Sequence, residues 1–411
     1  MTNPSKSLFA ACCAAALAAA CSNDEGAAAS AASGGGLVSG GGGGDASLQE
    51  TLAPIAPEGD VALNVETIAE GLVNPWSIAF LPNGDILVTE REGRLRVIRD
   101  GVMAEAPVSG TPETLVWNQG GYFDVLPHPD FETNNILYLA YAHGTRGENA
   151  LKVVRGVFDG ESFSAIEEIY EAKPLKNTGH HFGGRMVWGG DGKLYVSIGD
   201  GGSTREKAQD MASSFGSVIR INEDGSIPTD NPDFGEGSLP ELYSKGHRNG
   251  QGLVYDAERG IYWQHEHGPR GGDELNVVEA GENYGWPAAS YGIDYNGARI
   301  TPFTEYEGTT QPVKYWTPSI APSGLDVYRG DLFADWNGDL LVGAMAGEVS
   351  MALHRVIIEN GAPAGEERYL VDLGERVREV RVGPDGAIYV TTEERRGAPV
   401  GKVLRLTPQG A

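Results

Sequence analysis

The sequence predicts an all-β fold: a six-bladed β-propeller of four-stranded antiparallel blades. Three observations support this prediction: glycine is unusually frequent, a strand–turn–strand unit recurs, and no long segment shows the apolar period of a helix. The chain of 411 residues contains 59 glycines and 23 prolines, which favours many tight turns and short strands. This length allows two or three average domains or one large repeat-built domain, so the repeats decide between them.

Each recurring unit is a short apolar strand, a turn rich in Asn, Asp and Gly, and a second apolar strand. Asn-Gly and Asp-Gly supply the positive φ angles that tight hairpin turns need. The predicted hairpins span residues 76–88, 123–138, 185–196, 252–263, 324–342 and 380–390. Their near-even spacing, without a mid-chain linker, favours one ring over two β-sandwich domains. Dense strand signals before Gly84 and after Gly386 predict that the two ends of the body share a blade and close the ring.

The N-terminal region differs in composition from the rest of the chain. An Ala-rich apolar run follows Lys6 and is too short to span a bilayer, which is typical of an export signal. We therefore expect a signal peptide at 1–21 whose end resembles a bacterial lipoprotein box, with lipid attachment at Cys21. Ordinary cleavage and an uncleaved anchor are the alternatives. The Gly/Ala/Ser-rich segment 22–61 is expected to be a flexible tether, and 62–411 the propeller catalytic domain.

Charge and cysteine content exclude several classes of function. Lys and Arg total 31 against 57 Asp and Glu, and the formal charge of −26 repels phosphate backbones and anionic membrane surfaces. All three cysteines, Cys12, Cys13 and Cys21, lie at the N-terminus, so the body has no thiol for a disulfide, a zinc site or a nucleophile. We expect no nucleic-acid partner and membrane contact only through the lipid anchor. The expected location is the periplasm or the outer membrane of a Gram-negative-type bacterium.

Two adjacent histidines are candidates for acid–base chemistry. His180 and His181 lie among glycines, and neighbouring residues of an extended segment point to opposite faces, so at most one faces the channel. A histidine titrates near neutral pH, and Asp200, at the far end of the same hairpin strand, could orient it. A hydrogen-bonded structural histidine is the alternative.

Further polar stretches suit an anionic ligand. Arg248 and Asn249 place a guanidinium beside an amide, and Gln119 offers a second amide next to two glycines, although a plain glycine turn would look the same. Arg376 and Arg378 are two apart and share one face of a strand. Salt bridges with neighbouring acids, or anchoring of loop carbonyls, are the alternative roles of these arginines.

One acidic stretch suits calcium. Residues 266–276, followed by 281–287, place carboxylates among glycines and a proline, and calcium takes oxygens from side chains and bare carbonyls in irregular loops. The spacing is not that of an EF-hand. A solvated acidic loop is the alternative, because the whole chain is acidic.

Together these stretches resemble the glucose/sorbosone dehydrogenase family of soluble quinoprotein sugar dehydrogenases. The resemblance covers about residues 64–408, and its most specific motifs are His180–Arg185, His247–Asn249, Glu266–Glu274, Asn283–Pro287 and Arg376–Arg378. It implies a six-bladed propeller that binds pyrroloquinoline quinone (PQQ) and calcium on one face. This agrees with the fold expected from the repeats.

The resemblance also implies a role for individual residues. The catalytic residues would be His181, Asp200 and Arg248, with His181 as the base for the anomeric hydroxyl proton and Asp200 as its supporting carboxylate. The residues that hold the quinone would be Gln119, Arg248, Asn249, Arg376 and Arg378. The calcium ligands would be main-chain oxygens of Gly268 and Pro269, with Glu274 and Tyr284 at a second calcium site.

The implied function is that of a periplasmic PQQ-dependent enzyme that oxidises aldose sugars at the anomeric carbon to lactones and passes the electrons to a separate acceptor. One departure weakens this expectation: relatives carry a lysine where this chain has Ala346, and the lost ion pair would weaken quinone binding by about 1–3 kcal/mol. The alternatives are a calcium-dependent lactonase-type hydrolase and a degenerate propeller that binds carbohydrate or a partner protein.

Overall fold

Six sheets of four antiparallel strands make up the fold of the computed structural model, which describes residues 55–346, 350–394 and 400–410. The expected signal peptide, the lipid site at Cys21 and most of the expected tether lie outside these residues. Within them, no helix has the length and apolar character needed to cross a bilayer.

The first half of the ring follows the opening strand β1 (Leu63–Val73). Blade 1 contains β2 (Pro75–Phe80), β3 (Ile86–Glu90), β4 (Arg94–Arg99) and β5 (Val102–Met103). Blade 2 contains β6 (Tyr122–Pro127), β7 (Ile136–Gly144), β8 (Asn149–Phe158) and β9 (Phe163–Glu171). Blade 3 contains β10 (Gly183–Trp188), β11 (Leu194–Ile198), β12 (Ser217–Ile221) and β13 (Leu242–Lys245).

The second half returns to the opening strand. Blade 4 contains β14 (Gly250–Asp256), β15 (Ile261–Glu266), β16 (Asp273–Val278) and β17 (Lys314–Trp316). Blade 5 contains β18 (Pro322–Val327), β19 (Leu340–Ala344), β20 (Leu353–Glu359) and β21 (Ala362–Tyr369). Blade 6 contains β22 (Arg376–Val382), β23 (Ile388–Glu393) and β24 (Val400–Pro408), with β1 as its outermost strand. The described helices are α1 (Phe131–Asn134) and three 3₁₀ turns at Arg205–Gln209, Ala334–Trp336 and Val371–Leu373.

The predicted fold class is confirmed. Each predicted hairpin forms the two innermost strands of one blade, and the innermost strands contact one another in a closed ring. The turn glycines Gly84, Gly192 and Gly386 have φ values of 91°, 71° and 75°, as hairpins of this kind require. The strands β3, β11 and β19 are buried along their whole length, because neighbouring blades cover both faces of each sheet.

The ring is closed by the two ends of the propeller. Strand β1 pairs antiparallel with β24 from Leu63 opposite Pro408 to Val73 opposite Val400. The prediction that terminal strands share a blade is therefore confirmed. The outer edge of the neighbouring blade is occupied as well: the Gly59 amide donates to the Arg368 carbonyl (3.0 Å).

The same edge contact involves the last residues of the segment expected to be a tether. The described end of the expected tether, residues 55–61, already touches the propeller, since the Arg368 amide also donates to the Pro57 carbonyl (2.9 Å). An edge strand offers unpaired main-chain groups, and composition alone does not reveal that a passing segment uses them.

A buried charged group, the channel cluster, fills the centre of the ring and consists of Ser77, Asp124, Arg185, Glu379 and Arg381. Arg185 is 0% exposed; its Nη1 lies 3.3 Å from Asp124 Oδ1 and contacts Glu379 Oε2. The Ser77 hydroxyl donates to Asp124 Oδ1 (2.5 Å), and Arg381 Nη2 lies 3.9 Å from Asp124 and 3.7 Å from Glu379. Two guanidinium groups thus neutralise two buried carboxylates.

The channel cluster joins all six blades. Its members come from β2, β6, β10 and β22, while Arg185 Nε donates to the Gln251 carbonyl of β14 (3.0 Å) and Arg381 Nη1 to the Leu325 carbonyl of β18 (3.0 Å). The Arg185 guanidinium also lies 4.2 Å from the centre of the Trp76 ring. One ion network therefore sets the spacing of the innermost strands.

The Arg185→Met substitution is expected to lower the free energy of unfolding by about 3–5 kcal/mol, because it leaves two buried carboxylates with a single remaining cation. Urea unfolding followed by circular dichroism measures the change. Arg205→Ala, which breaks a half-exposed pair with Asp294, is the control and is expected to cost less than about 1 kcal/mol. Equal effects of the two substitutions would contradict the role given to the channel cluster.

Candidate functional site

The predicted site residues lie at one end of the ring, here called the site face. The first and second strands of each blade are antiparallel, so the start of the first strand and the end of the second are neighbours. Gln119 precedes β6, His181 precedes β10, Asp200 follows β11, Arg248 precedes β14, and Arg376 begins β22. The topology therefore brings residues from four blades to the same opening.

The expected base and its supporting carboxylate form a direct pair. His181 Nδ1 lies 2.7 Å from Asp200 Oδ1, and Asp200 is fully buried. The carboxylate also accepts hydrogen bonds from the Gly202 amide (2.7 Å) and from the indole Nε1 of Trp286 (2.7 Å). These contacts fix the orientation of both side chains. The neighbouring His180 is exposed.

The electrostatics of the pair suit a neutral imidazole. Burial lowers the pKa of His181, the charge of Arg248 lowers it further, and Asp200 opposes only part of this effect. Burial alone would raise the pKa of Asp200, but His181, Arg248 and the Gly202 amide outweigh burial and lower it. An ionised carboxylate can only accept, so Nδ1 of His181 carries the proton and the Nε2 lone pair is available as a base.

The turn that carries His181 is held by unusual main-chain geometry. His181 has φ of 50°, in the left-handed region, rather than the extended conformation expected from the sequence. Its amide donates to Gln119 Oε1 (2.8 Å), and the Gly183 amide donates to Asn249 Oδ1 (3.2 Å). Any side chain at Gly183 would collide with the Ser197 carbonyl. Gln119 and Asn249 therefore fix this turn with their carbonyl oxygens, which leaves their amide N–H groups for a ligand.

Arg248 lies beside the His181–Asp200 pair. Its carbonyl accepts from the Asp200 amide (2.8 Å), and its Nη1 donates to the carbonyls of His267 (2.9 Å) and Gly268 (2.6 Å). Its guanidinium lies 5.3 Å from the centre of the Trp286 ring. Arg248 thus connects the base to the loop that was expected to bind calcium.

A cluster of arginine side chains extends across the site face towards blade 6. Arg378 Nη1 donates to the Ser323 hydroxyl (3.2 Å). Burial lowers the pKa of Arg378 and outweighs the opposite effect of nearby Glu393. The charges of Arg91, Arg376 and Arg185 lower this pKa further. Burial, and then the charges of Arg248 and Arg378, lower the pKa of His267 to about 3. The site face therefore carries concentrated positive charge on a chain that is acidic overall.

These arginines fit an anionic ligand such as PQQ, a planar quinone that bears several carboxylates. Six buried guanidinium nitrogens of the described residues have no hydrogen-bond partner, and four of them are the Nε atoms of Arg91, Arg248, Arg376 and Arg378. Buried donors without an acceptor are costly, and a ligand carboxylate or carbonyl would satisfy them. This observation supports the cofactor-binding role expected for three of these residues.

The loop expected to bind calcium is organised by Asp273. The Asp273 carboxylate accepts from the amides of Gly268 (2.8 Å), Ile320 (2.8 Å) and Ala321 (2.9 Å), and burial raises its pKa to about 6. A Cβ atom at Gly268 would collide with the carbonyls of Gly271 and Gly272. Only glycine at position 268 allows this loop to fold back on itself and bring its carbonyl oxygens together. Pro269, the next residue, belongs to the same loop.

A second oxygen-rich position lies on the strands below this loop. Glu266 and Glu274 are directly opposite in the β15–β16 register, and burial together with the charge of Glu266 raises the pKa of Glu274 well above its ordinary value. The buried Oδ1 of Asn276 has no hydrogen-bond partner. Two facing carboxylates and a free amide oxygen fit a cation.

The position of Tyr284 limits what it can give to such a cation. Its hydroxyl donates to the Val277 carbonyl (2.6 Å) and accepts from the Glu279 amide (2.9 Å), while its ring stacks on His247 at 4.5 Å. Only its main-chain oxygen remains as a ligand. No group of three or more His, Cys, Asp or Glu side chains gathers around a common point in the described residues, so a cation would need several carbonyl ligands.

Sequence reasoning gave no role to four residues that the structure brings to the site. Trp286 and Asp273 belong to recognised motifs, and their place in these motifs was the available signal. Arg91 and Lys176 lie in no motif. Arg91 packs against Gly121, where any side chain would collide with the Arg91 carbonyl, and Lys176 contacts the His181 turn. The Arg91 contact crosses between blades, whereas the Lys176 contact lies within the segment that connects β9 to β10.

Comparison with known proteins identifies the class of enzyme to which this fold and site belong. The chain is 39% identical over 356 residues to the aldose sugar dehydrogenase YliI of Escherichia coli, an alignment that covers 84% of this chain and 93% of the relative. The crystal structure of the soluble aldose sugar dehydrogenase from Escherichia coli in the apo-form matches with a TM-score of 0.80 and 36% identity, covering 85% of this chain and 100% of that chain.

Another solved structure contains a cofactor. The PQQ-bound form of the aldose sugar dehydrogenase from Streptomyces coelicolor matches with a TM-score of 0.68 and 28% identity, covering 86% of this chain and 99% of that chain. The fold and its relatives define a sugar oxidoreductase. The sequence model of the Glucose / Sorbosone dehydrogenase family matches residues 72–410, and the chain belongs to this family.

Proposed function

We propose that this protein is a PQQ-dependent aldose dehydrogenase that oxidises the anomeric carbon of an aldose to the lactone. The observation that carries the proposal is a neutral His181, fixed by Asp200, beside four buried guanidinium nitrogens that lack acceptors. The Escherichia coli relative described as an aldose sugar dehydrogenase and the PQQ-bound Streptomyces coelicolor structure support it.

Different residues of the site face would contact different groups of the quinone. Arg248, Arg376 and Arg378 would pair with its carboxylates and carbonyls, and the free amide groups of Gln119 and Asn249 would donate to its edge. When bound, PQQ supplies a two-electron acceptor for the hydride of the anomeric C–H bond. Ala346 offers no cation, so the arginines would provide the positive side-chain charge that holds the quinone.

His181 would act as the base. Its Nε2 would take the proton of the anomeric hydroxyl, because Nδ1 is committed to Asp200. Asp200 would stabilise the imidazolium that forms, and the indole of Trp286 would keep the carboxylate in place. The positive charge of Arg248 would destabilise the imidazolium, so it would favour release of the proton after each turnover.

A calcium-dependent lactonase-type hydrolase is the second candidate. The facing carboxylates of Glu266 and Glu274 and the carbonyl-rich loop at Gly268 favour a cation whether or not a quinone binds. The arginine cluster is not explained by hydrolysis. The two candidates differ in their substrates, because dye reduction with aldoses requires added PQQ, whereas hydrolysis of a lactone does not.

Titration of the purified apoprotein with PQQ, with calcium present, tests the leading proposal. We expect saturable quinone binding by absorbance and aldose-dependent reduction of a dye. The His181→Gln variant is expected to bind PQQ normally and to lose about 10²–10⁴ in kcat, the usual contribution of a general base. Wild-type turnover in this variant would refute the assignment of the base. Absence of quinone binding at micromolar concentrations, in folded protein, would favour the hydrolase or a binding propeller.

Calcium is expected to raise the melting temperature of the protein, because a bound cation removes the repulsion between Glu266 and Glu274. A ligand present at 100 times its Kd stabilises by about 2.7 kcal/mol. Thermal unfolding in chelator and in millimolar calcium measures the effect, and Glu274→Gln is expected to abolish most of it. Glu279→Gln, an exposed change in the following loop, is the control. If the melting temperature of the wild-type protein were the same in chelator and in calcium, the proposed calcium site would be wrong.

We also propose that the protein is exported and attached to a membrane by a lipid on Cys21. The support is the short apolar run that ends at this cysteine and the Gly/Ala/Ser-rich segment that follows it. Fractionation of cells that express the full chain is expected to place it with the membranes, and Cys21→Ala is expected to release it. Equal fractionation of the two proteins would contradict the anchor.

A further inference from the structure

Lys176 is a buried cation whose partners are main-chain oxygens rather than carboxylates. It is 6% exposed; its Nζ donates to the His180 carbonyl and lies 3.5 Å from the His181 carbonyl. The same Nζ lies 3.4 Å from the centre of the Phe182 ring. Within the described residues, no carboxylate lies within ion-pair distance of it. The ammonium group therefore contacts three consecutive residues of the turn that presents the base.

The main chain of Lys176 is anchored on the neighbouring blade. Its amide donates to the Asn149 carbonyl and its carbonyl accepts from the Asn149 amide, both at 2.8 Å. Asn149 is the first residue of β8 and is fully buried. Lys176 thus starts from a fixed point on blade 2 and reaches the turn that enters blade 3.

The turn at His181 needs such support. A left-handed conformation is unfavourable for a side chain with a Cβ atom, and it persists only where surrounding contacts impose it. Gln119 holds the His181 amide, while the Gly201 amide reaches the His181 carbonyl at 3.3 Å. Lys176 is the charged member of this set, and it alone holds two successive carbonyls of the turn.

We infer that Lys176 is a positioning residue for His181: its ammonium group fixes the left-handed turn and places a positive charge behind the imidazole. The inference rests on the proposed function, because it takes His181 to be the base. It assigns to blade 2 a part in catalysis that does not involve contact with substrate or cofactor.

The charge has a predictable effect on the base. The charged groups near the imidazole are Asp200 from the end of β11, Arg248 from the start of β14, and Lys176, with exposed His180 as its chain neighbour. Burial and the two cations lower the pKa of His181, and Asp200 opposes them. Burial also lowers the pKa of Lys176 itself to about 7. His181 therefore titrates in the range where Lys176 is charged, so removal of the charge must raise the pKa of His181.

Two substitutions separate the charge from the hydrogen bonds. Lys176→Met removes both, whereas Lys176→Gln keeps a donor without the charge. Lys173→Met, which removes an exposed cation three residues away, is the matched control. The first measurement is the NMR titration of the His181 imidazole in the apoprotein. We expect the pKa of His181 to rise by about 0.3–1 unit in both Lys176 variants and to stay unchanged in the control.

The second measurement is amide hydrogen exchange at residues 180–182 in the same samples. Exchange is expected to accelerate most in Lys176→Met and less in Lys176→Gln, since the glutamine amide still donates to the turn. In the loaded enzyme, kcat should fall in the same order with KM little changed. These readouts separate support of the turn from the effect of charge.

An unchanged pKa of His181 in Lys176→Met, in protein with a normal melting transition, would overturn the inference. Should Lys176→Met not fold, the titration of Lys176→Gln decides in the same way. Loss of folding in both variants, with Lys173→Met folded, would make Lys176 a purely structural residue and would also overturn it. Failure of wild type to bind PQQ or oxidise aldoses would refute the proposed function and leave the titration result standing.

Discussion

The structure depends on charge neutralisation at the centre of the ring. The inner strands of the six sheets are largely buried, yet the innermost strands meet around a channel that must be filled. Arg185 and Arg381 fill it together with Asp124 and Glu379, and the main-chain acceptors of the remaining blades complete the network. A buried network of this kind is costly to break and restricts the alternatives to one arrangement, because each partner lies on a different blade.

The channel cluster and the site are positioned by the same strands. Strand β10 carries Arg185 in the channel and begins two residues after His181, so the position of the base is fixed at short range by the strand that anchors the ring. Asp200 follows the next strand of the same blade, and Arg248 precedes the first strand of the adjoining blade. Secondary structure thus places the acid–base pair, whereas burial, and after it the charge of nearby cations, lowers the pKa of His181.

Sequence patterns predicted what is encoded locally. The hairpins were predictable because Asn-Gly and Asp-Gly turns sit between apolar strands, and His181 and Asp200 could be related because they flank one hairpin. The contacts of Arg91 and Trp286 could not be predicted, since they cross blade boundaries. The contact of Lys176 with residues 180–182 is close in sequence, but it depends on how the turn at His181 folds. The left-handed turn at His181 was also missed: an ordinary residue adopts it only because three separate segments hold it there.

The pairing of β1 with β24 has a consequence for how the protein is made. The strands that close the ring come from opposite ends of the described chain, so blade 6 cannot form before synthesis has reached Pro408. Contacts between such distant segments are slow to form, because most of the chain must be ordered first. A nascent chain therefore remains an open series of blades until its last strand is available. Loss of strand β24 would leave β1 without its partner and the ring unclosed.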